Sequence, residues 1–496
     1  MFNNYSGDPA SFQSSWKTDQ QLSTGSTQTE EVKIADNSCQ VVNLVESGMQ
    51  TEKEEETNYG PAEYNEGSLL SFLRKIGPKV EEELKRQSHS TVFNGYNALE
   101  DAHSSGVKLM HTLRWPSLEN NLVVTCIDWS CTGSGVGIAY GSSHHDDWCD
   151  HKGAIAVWNI NRNDFDPNRP ERVIDVSSCV LSLAFHPTNP AIFAMGTFNG
   201  EVLIYDLSNA EEVTPFSSGE CGSTVTSLTW VESPTGEPAV ARAPHALVAT
   251  TTQGHILVWG LQITKQLLTL RYGFAIQGQD APKTGRIRMD ESASIGLSCI
   301  SFNSEDPTLF VVGAEGGSIF LCSSLSRIPA GIEFGGMSLS RCVTSTMASH
   351  TGRVLDVQCS PHHRNGILTA GSDNQIRLYT LLQPNKPVRE IYSEEAVTSA
   401  RWSPSRPTVL AAGHNTGQVI LFEFGAKSNK QILKLPTVEK PSAITDVVFN
   451  KKNMNLLAGG DQLGRVMIWQ LPSEAVSPLP TELASLTNAL QAHDNL

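Results

Sequence analysis

Alternating apolar and polar positions recur along most of the chain in a repeated unit. Each unit opens with a strand in which apolar residues alternate with small or polar ones, as at 225–230 and 397–402. A second apolar strand, a tight turn and a third strand follow. The expected turns are Lys152-Gly153, Asn199-Gly200, Gln253-Gly254, Gly316-Gly317, Asp373-Asn374, Thr416-Gly417 and Leu463-Gly464. The third strands close on Trp158, Tyr205, Trp259, Cys322, Tyr379, Phe422 and Trp469.

Seven units of this kind predict an all-β fold, a seven-bladed WD-repeat β-propeller over residues 105–472. Period-two alternation gives a sheet with two distinct faces. Gly or Asn in the turn supplies the positive φ that a tight hairpin requires, and the closing aromatic residue offers apolar area to the next blade. Most units exceed the roughly 40–45 residues of a compact WD repeat. We assign the excess to loops at 232–245, 261–295 and 323–349.

Closure of the ring requires a strand from outside the seven units. After Trp469 the chain passes through Leu471 and Pro472 into a short polar tail, 473–496, which offers no further strand. Ahead of the first unit, residues 107–113 alternate between apolar and polar positions. We expect this segment to pair with the last blade and to remove the exposed edges of an open array. The alternative is a loop ahead of the domain.

The short signature residues of WD repeats are mostly missing. Residues 350–352 form the one stretch that resembles the usual Gly-His element, and no unit ends in Trp-Asp, Tyr205-Asp206 being the nearest. The hydrogen-bonded tetrad that stiffens many WD blades is therefore expected to be incomplete. The fold prediction rests on the seven aligned units instead.

Residues 1–65 have a different composition, rich in Ser, Thr, Gln, Asn and Glu. They carry 11 acidic and 3 basic residues, so their net charge is 3 − 11 = −8, half of the −16 of the whole chain. Low apolar content with net charge cannot offset the entropy of ordering, which predicts a disordered arm. Two similar stretches lie in it, at 25–30 and 47–52. Such stretches can add as a strand to a partner's sheet edge; the alternative is chance similarity between short polar strings.

Residues 66–90 are predicted to form a short amphipathic helical segment. Ser68 is the expected N-cap, and Gly77-Pro78 is expected to break or kink the helix near its middle. An isolated helix of this length is marginal in water, so it either folds back on the propeller or docks on a separate protein. Apolar residues recur at intervals of three and four and form a stripe. The stripe consists of Leu69, Leu70, Leu73, Ile76, Val80 and Leu84.

Composition restricts the partners and the compartment. The net charge of −16 argues against a general electrostatic grip on nucleic acid or on an anionic membrane. No apolar run approaches the roughly 18 residues of a membrane span, and the first residues lack a signal-peptide pattern. The ten cysteines form no Cys-x-x-Cys pair, and Cys126, Cys179, Cys299 and Cys359 lie in apolar runs. We therefore expect a soluble, intracellular protein with reduced cysteines, no nucleic-acid partner and no membrane insertion.

Three patterns that could carry chemistry are set aside. Residues 144–151 contain His, Asp and Cys, but adjacent ligands in an extended loop point in alternating directions, and the usual zinc-site spacing is missing. A loop packed by Trp148 is the preferred interpretation. The glycines of 133–137 lack the Lys and the strand-to-helix setting of a phosphate loop, and no nucleophile-elbow signature is present. We expect no catalytic residue, no metal and no cofactor, and therefore a binding scaffold and not an enzyme.

The order of arm motifs, amphipathic helix and degenerate propeller resembles the dynein intermediate chains. Residues 139–141, 144–149 and 157–162 are similar to the stretch between the middle strands of that family's first blade. Residues 185–187 with 200–202 are similar to its second blade, and residues 359–365 to its fifth. The resemblance covers residues 66–470. The long, densely charged helix that begins the cytoplasmic dynein 1 type is absent, since residues 1–28 hold only three charged residues. The sequence is most similar to the cytoplasmic dynein 2 intermediate chains, the WD-repeat protein 34 type.

The resemblance implies particular partners and sites. The eight-kilodalton dynein light chain, a dimer that can hold two intermediate chains side by side, would bind two motifs in the arm. These motifs are Thr27, Gln28 and Thr29, and Met49, Gln50 and Thr51. The stripe at 69–84 corresponds in position to the site of the roadblock-type light chain. The propeller would hold the tail of the dynein 2 heavy chain, by residues that the resemblance does not identify, beside a second intermediate chain.

The function implied is that of a non-catalytic motor subunit for retrograde intraflagellar transport and cilium assembly. Its expected locations are the cytoplasm, the cytoskeleton and the cilium or flagellum, including the axoneme and the basal body. Two alternatives stay open. One is an axonemal dynein intermediate chain, and the other is a generic WD-repeat scaffold, such as a substrate receptor of a ubiquitin ligase, which would not use the arm.

Overall fold

The structure is a computed structural model in which the chain divides into two compact units, Met1–Gly95 and Tyr96–Leu496. Within the described residues, no helix has both the length and the apolar character needed to cross a membrane. The two arm motifs at 27–29 and 49–51 lie outside the described residues. The described residues are 66–88, 106–118, 122–142, 145, 149–208, 215, 217–232, 245–282, 290–424, 429–438 and 440–491.

The described part of the first unit is one helix, α1 (Glu66–Ser88). It begins two residues before Ser68, so Ser68 lies in the first turn and is not the N-cap; its carbonyl oxygen accepts the Ser71 hydroxyl at 2.8 Å. The helix continues through Pro78, so the expected break at Gly77-Pro78 does not occur. The proline φ is compatible with a helix, and these residues are exposed, so water can satisfy the carbonyl group that loses its donor.

The second unit begins with strand β1 (Lys108–Leu113) and continues with three blades of antiparallel strands. Blade 1 contains β2 (Val123–Trp129), β3 (Gly135–Gly141), β4 (Gly153–Asn159) and β5 (Arg172–Val176). Blade 2 contains β6 (Val180–Phe185), β7 (Ile192–Thr197), β8 (Glu201–Asp206) and β9 (Ser217–Glu220). Blade 3 contains β10 (Val225–Glu232), β11 (His245–Thr251), β12 (His255–Gln262) and β13 (Leu267–Ala275).

Four more blades follow, one of them with a hairpin inserted before its last strand. Blade 4 contains β14 (Leu297–Phe302), β15 (Leu309–Ala314) and β16 (Ile319–Ser323), then the hairpin β17 (Ile328–Phe334) and β18 (Met337–Arg341), then β19 (Val343–Thr346). Blade 5 contains β20 (Val354–Cys359), β21 (Gly366–Gly371), β22 (Gln375–Thr380) and β23 (Arg389–Tyr392). Blade 6 contains β24 (Val397–Trp402), β25 (Val409–His414), β26 (Val419–Phe424) and β27 (Asn429–Lys434). Blade 7 contains β28 (Ile444–Phe449), β29 (Leu456–Asp461) and β30 (Val466–Gln470).

The blades form a closed ring. The first strands of successive blades contact one another in order, and β28 of blade 7 contacts β2 of blade 1. Strand β1 pairs antiparallel with β30, with Leu113 opposite Val466, so a segment from ahead of the first blade completes the last one. Leu113 is buried in the same cluster as Trp129 and Trp158 of blade 1. The seven-bladed WD-repeat propeller is confirmed, and the ring closes as the alternation at 107–113 predicted.

Positive backbone φ marks the turn between the second and third strands in six blades. Gly200, Gly254, Gly317, Gly417 and Gly464 have φ between 73° and 89°, and Asn374 has φ 61°. Blade 1 differs, since Gly153 begins β4 instead of forming a two-residue turn. A Cβ added at Gly153 would collide with the backbone of Ser178 and Cys179. The expected turn at Lys152-Gly153 is therefore wrong: this glycine permits close approach to the chain that leads into β6.

Two of the three predicted loops contain strands. The segment 261–295 includes β13, and 323–349 includes the hairpin β17–β18. Strand β18 runs parallel to β13, with Phe274 paired to Ser340, and extends the sheet of blade 3 to six strands. Ala330, Ile332 and Phe334 alternate along β17 and pack against the core cluster of blades 2 and 3. The hairpin therefore covers the outer edge of blade 3.

The C-terminal segment is not the plain polar tail that was expected. It forms two helices, α2 (Ser473–Val476) and α3 (Glu482–Gln491). Leu486 and Leu490, four residues apart on α3, are buried in the same cluster as Trp402. Arg406 of the propeller forms an ion pair with Glu482. The four-residue spacing of Leu486 and Leu490 is the pattern in the sequence that indicates this helix.

Side-chain acceptors on the first strands tie neighbouring blades together. The carboxylate of Asp446 accepts the Ile127 N–H at 2.9 Å, which joins blade 7 to blade 1. Asp128 accepts the Phe185 N–H at 2.7 Å, and Ser301 accepts the Cys359 N–H at 2.9 Å. These bonds use donors that the sheets leave free on the inner side of each blade, so they reinforce the ring at its centre.

Arg401 connects three blades at this inner ring. It lies on β24 and forms ion pairs with Asp356 of blade 5 and with Asp446 of blade 7, the latter at 3.6 Å. Burial raises the pKa of the Asp356 carboxyl, although Arg401 opposes that shift. Burial alone would lower the pKa of Arg401, but the two carboxylates raise it above its usual range. The guanidinium therefore stays charged and balances two carboxylates.

Replacing Arg401 by Met is expected to lower the free energy of unfolding by about 3 kcal/mol, because two carboxylates then remain in the ring without their cation. Urea unfolding of the purified chain, followed by tryptophan fluorescence, measures the change.

The matched control is Arg162→Met. Arg162 also faces two carboxylates, Asp164 at 2.8 Å and Glu171 at 2.7 Å, but on the exposed surface, where ion pairs contribute little. We expect a much smaller decrease in the free energy of unfolding for this control. Similar decreases for Arg401→Met and Arg162→Met would contradict a special role for Arg401.

Candidate functional site

The apolar stripe predicted for a light chain is an exposed face of α1. Leu69, Leu70, Leu73, Val80 and Leu84 are each 46–60% exposed, and Ile76 is half-buried. Phe72, which the predicted stripe did not include, is also exposed. At 3.6 residues per turn, all of these except Leu70 fall within about a third of the helix circumference, and Leu70 lies at its flank. An apolar face of this kind gains stability when a partner buries it.

The two glutamine-centred motifs of the arm, 27–29 and 49–51, cannot be placed beside this helix because they lie outside the described residues. Residues 52–65 separate the second motif from the start of the helix at Glu66. Both groups of predicted light-chain-binding residues nevertheless belong to the unit that ends at Gly95. The predicted light-chain sites are thus separate in sequence from the propeller.

The tetrad of a WD blade is mostly present in blade 5. His350 Nδ1 lies 2.9 Å from Asp373 Oδ1, and His350 Nε2 lies 2.8 Å from the Thr369 hydroxyl. Tyr379 stands where a tetrad tryptophan is usual, and its hydroxyl donates to the Ala348 carbonyl oxygen at 2.7 Å. Burial lowers the pKa of His350, so the ring is neutral at pH 7. These contacts stabilise the blade and leave His350 no role as a surface acid or base.

The stretches that resemble blades two and five of the dynein intermediate chains serve turns of the fold. His186 Nδ1 accepts the Asn189 N–H at 3.2 Å, and Ser360 Oγ accepts the His363 N–H at 3.3 Å. Asn303, Ser403 and Asn450 accept equivalent N–H groups in blades 4, 6 and 7. Burial, with a contribution from His245, lowers the pKa of His186 to about 4, which keeps its Nδ1 an acceptor. The similarity in these stretches therefore reflects turn geometry.

A cluster of two cysteines and two histidines lies beside blade 1. The ligand atoms of His145, Cys149, His151 and Cys179 all lie within 4.8 Å of one another. None of these four residues is adjacent in sequence to another, so the expected divergence of adjacent ligands does not apply to them. Three of them come from the connection between β3 and β4, and Cys179 directly precedes β6. Cys179 lies outside the 144–151 stretch, so sequence spacing could not reveal it; Trp148 lies outside the described residues.

The other cysteines of the described residues are free thiols, and most are buried. Burial raises the pKa of Cys221, Cys299 and Cys359 to about 12. A thiol with such a pKa is protonated at pH 7 and is a poor nucleophile or redox centre. Their role is to fill the core.

Comparisons with known proteins support the same architecture. The family model "WD domain, G-beta repeat" matches residues 341–380, which include His350 and most of blade 5. A chain from the "Crystal Structure of Mitotic Checkpoint Complex" aligns with a TM-score of 0.52 and 16% sequence identity, over 73% of this chain and 95% of that chain. At this identity the likeness concerns the fold alone.

Three curated relatives align with far more of the chain than the single repeat that the family model matches. The human cytoplasmic dynein 2 intermediate chain 2 is 33% identical over 440 residues, 86% of this chain and 80% of that protein. The mouse cytoplasmic dynein 2 intermediate chain 2 is 33% identical over 496 residues, 96% of this chain and 90% of that protein. The cytoplasmic dynein 1 intermediate chain of Drosophila melanogaster is 22% identical over 386 residues, 75% of this chain and 51% of that protein. The chain belongs to the dynein intermediate chain family.

Proposed function

We propose that this chain is the non-catalytic intermediate chain of cytoplasmic dynein 2, which joins dynein light chains to the heavy-chain tail for retrograde intraflagellar transport and cilium assembly. The observation that carries the proposal is the similarity to the dynein 2 intermediate chains, at 33% identity, which extends over 96% of this chain in the mouse protein. The dynein 1 relative is 22% identical over 75% of the chain. The proposal thus favours dynein 2 over dynein 1.

The division of the chain into two units supports two kinds of contact. The propeller is a closed ring with its polar residues engaged in blade and turn contacts, as at His350 and Ser360, which suits a rigid mount for a heavy-chain tail. The first unit carries an exposed apolar helix face, which suits light chains. In this proposal a second intermediate chain lies alongside, and the complex works at the cytoskeleton and in the cilium, at the axoneme and the basal body.

The arm motifs provide the first test. In the full-length chain, Gln28→Ala and Gln50→Ala together are expected to abolish capture of the eight-kilodalton light chain. Each single change should weaken it by about tenfold or more, because the second motif no longer benefits from the effective concentration set by the first. Isothermal titration calorimetry with the purified light chain measures both effects.

The control is Gln21→Ala, which changes a glutamine of the same arm outside both motifs. It should bind the light chain as the unchanged protein does. If a chain lacking residues 25–52 still captures the light chain with undiminished affinity, the arm motifs are not its site, and a generic WD scaffold gains support.

The exposed face of α1 provides the second test. Leu73→Gln is expected to lower the affinity for a roadblock-type light chain by about tenfold or more, since a buried leucine contributes about 1.5–3 kcal/mol. Lys75→Gln on another face is the control. Leucine, lysine and glutamine have similar helix propensities, so neither change should alter the helix itself.

Co-sedimentation or calorimetry with the purified roadblock-type chain measures this affinity. An equal loss of affinity in Leu73→Gln and Lys75→Gln would contradict a specific apolar contact. A loss of propeller stability in Leu73→Gln, with light-chain affinity unchanged, would instead indicate that the helix folds back on the propeller.

A further inference from the structure

The connection between β3 and β4 in blade 1 is longer than the corresponding connections in the other blades. It spans 142–152, whereas 198–200 suffice for the corresponding connection in blade 2. Gly153 at its end runs so close to Ser178 and Cys179 that a side chain there would collide with their backbone. The end of this connection is thus held against the chain that leads into blade 2. Its attachment at this point brings the four side chains His145, Cys149, His151 and Cys179 together.

We propose that these four residues bind one zinc ion, which fastens the connection of blade 1 to the start of blade 2. Zinc in structural sites is tetrahedral, and two cysteines with two histidines are a common ligand set. With Zn–S of about 2.3 Å and Zn–N of about 2.0–2.1 Å, the ligand atoms of such a site stand about 3.3–3.8 Å apart.

The observed spacing fits that geometry after small movements. All four ligand atoms lie within 4.8 Å of one another, and Cys149 Sγ lies 3.9 Å from His151 Nδ1. Contraction of the longest separation by about 1–1.5 Å brings the ligand atoms to tetrahedral distances. Rotation of exposed His151 at its side-chain bonds provides part of that movement, because exposed side chains change rotamer readily.

Backbone donors already surround the two sulfur atoms. The Ser142 N–H donates to Cys179 Sγ at 3.0 Å, and the Cys179 N–H donates to Cys149 Sγ at 3.4 Å. Such bonds stabilise thiolates and orient metal ligands. Both cysteines are buried, where two uncompensated thiolates would be costly. A divalent cation balances their charge, and the two thiol protons pass to solvent when it binds.

Other contacts hold the ligands in place before any ion binds. The Asn199 side chain accepts the Cys149 N–H at 3.2 Å and donates to the Cys149 carbonyl oxygen at 3.1 Å. The His145 ring stacks on Phe198 with ring centroids 4.1 Å apart. Asn199 and Phe198 both belong to blade 2, so the site is built across the junction between two blades. Four protein ligands leave no open position, which makes this a structural site.

The test uses the full-length chain, purified under reducing conditions through an affinity tag that binds no metal. Elemental analysis by mass spectrometry should find about one zinc ion per chain, as for a four-ligand site. Cobalt(II) added to the chelator-treated chain should give the visible absorption of a tetrahedral site together with thiolate-to-cobalt charge transfer.

Two variants and one control locate the ion. Cys179→Ser should lose the zinc, and Cys131→Ser, a change at a half-buried cysteine outside the cluster, should retain it. His151→Ala changes an exposed residue and therefore leaves the core intact. It should release zinc to a competing chelator with an affinity lower by about tenfold or more.

Three outcomes would overturn the proposal. The first is an unchanged chain that contains no zinc and gives no cobalt spectrum. The second is zinc retained equally by Cys179→Ser and His151→Ala, which would mean adventitious binding elsewhere. The third is a disulfide-linked peptide containing Cys149 and Cys179 in a non-reducing digest of the protein isolated from cells. If Cys179→Ser fails to fold, the result with His151→Ala decides.

Discussion

Closure of the ring is the constraint on which the rest of the propeller depends. An open array of blades leaves unpaired N–H and C=O groups at both ends. Here β1 completes blade 7 by pairing with β30, and buried Leu113 joins the core that blade 7 shares with blade 1. The Asp446 carboxylate crosses the same junction to the Ile127 N–H. Hydrogen bonds and apolar packing therefore close the ring together, and Arg401 links blades 5, 6 and 7 at its centre.

The closed ring and the helix of the first unit differ in the residues that they expose. Residue types that often perform chemistry are used inside the ring: His350 in the blade 5 tetrad, His186 and Ser360 in turns, and buried thiols in the core. A helix with exposed leucines gains most from a separate partner that buries them.

Much of the fold could be predicted because its repeats follow local alternation and turn chemistry. Gly317 and Asn374 have the positive φ that their turns require, and residues 108–113 form the closing strand. Apart from this closing strand, contacts between distant segments could not be predicted, because local alternation does not identify the partner. The hairpin β17–β18 alternates like any strand, yet its partner β13 precedes it by more than fifty residues, and Cys179 joins a histidine-rich stretch only through the close packing at Gly153. The light-chain motifs at 27–29 and 49–51 remain predictions.

The central claim, that this chain mounts light chains on a dynein 2 heavy chain, is tested most directly by quantitative mass spectrometry of the tagged full-length chain isolated from ciliated cells. The account predicts that the dynein 2 heavy chain is recovered in amounts comparable to the tagged chain, together with the eight-kilodalton and roadblock-type light chains. Recovery of the chain without any dynein heavy chain would contradict it. Recovery with an axonemal heavy chain, or with a ubiquitin-ligase adaptor, would assign the chain to a different complex.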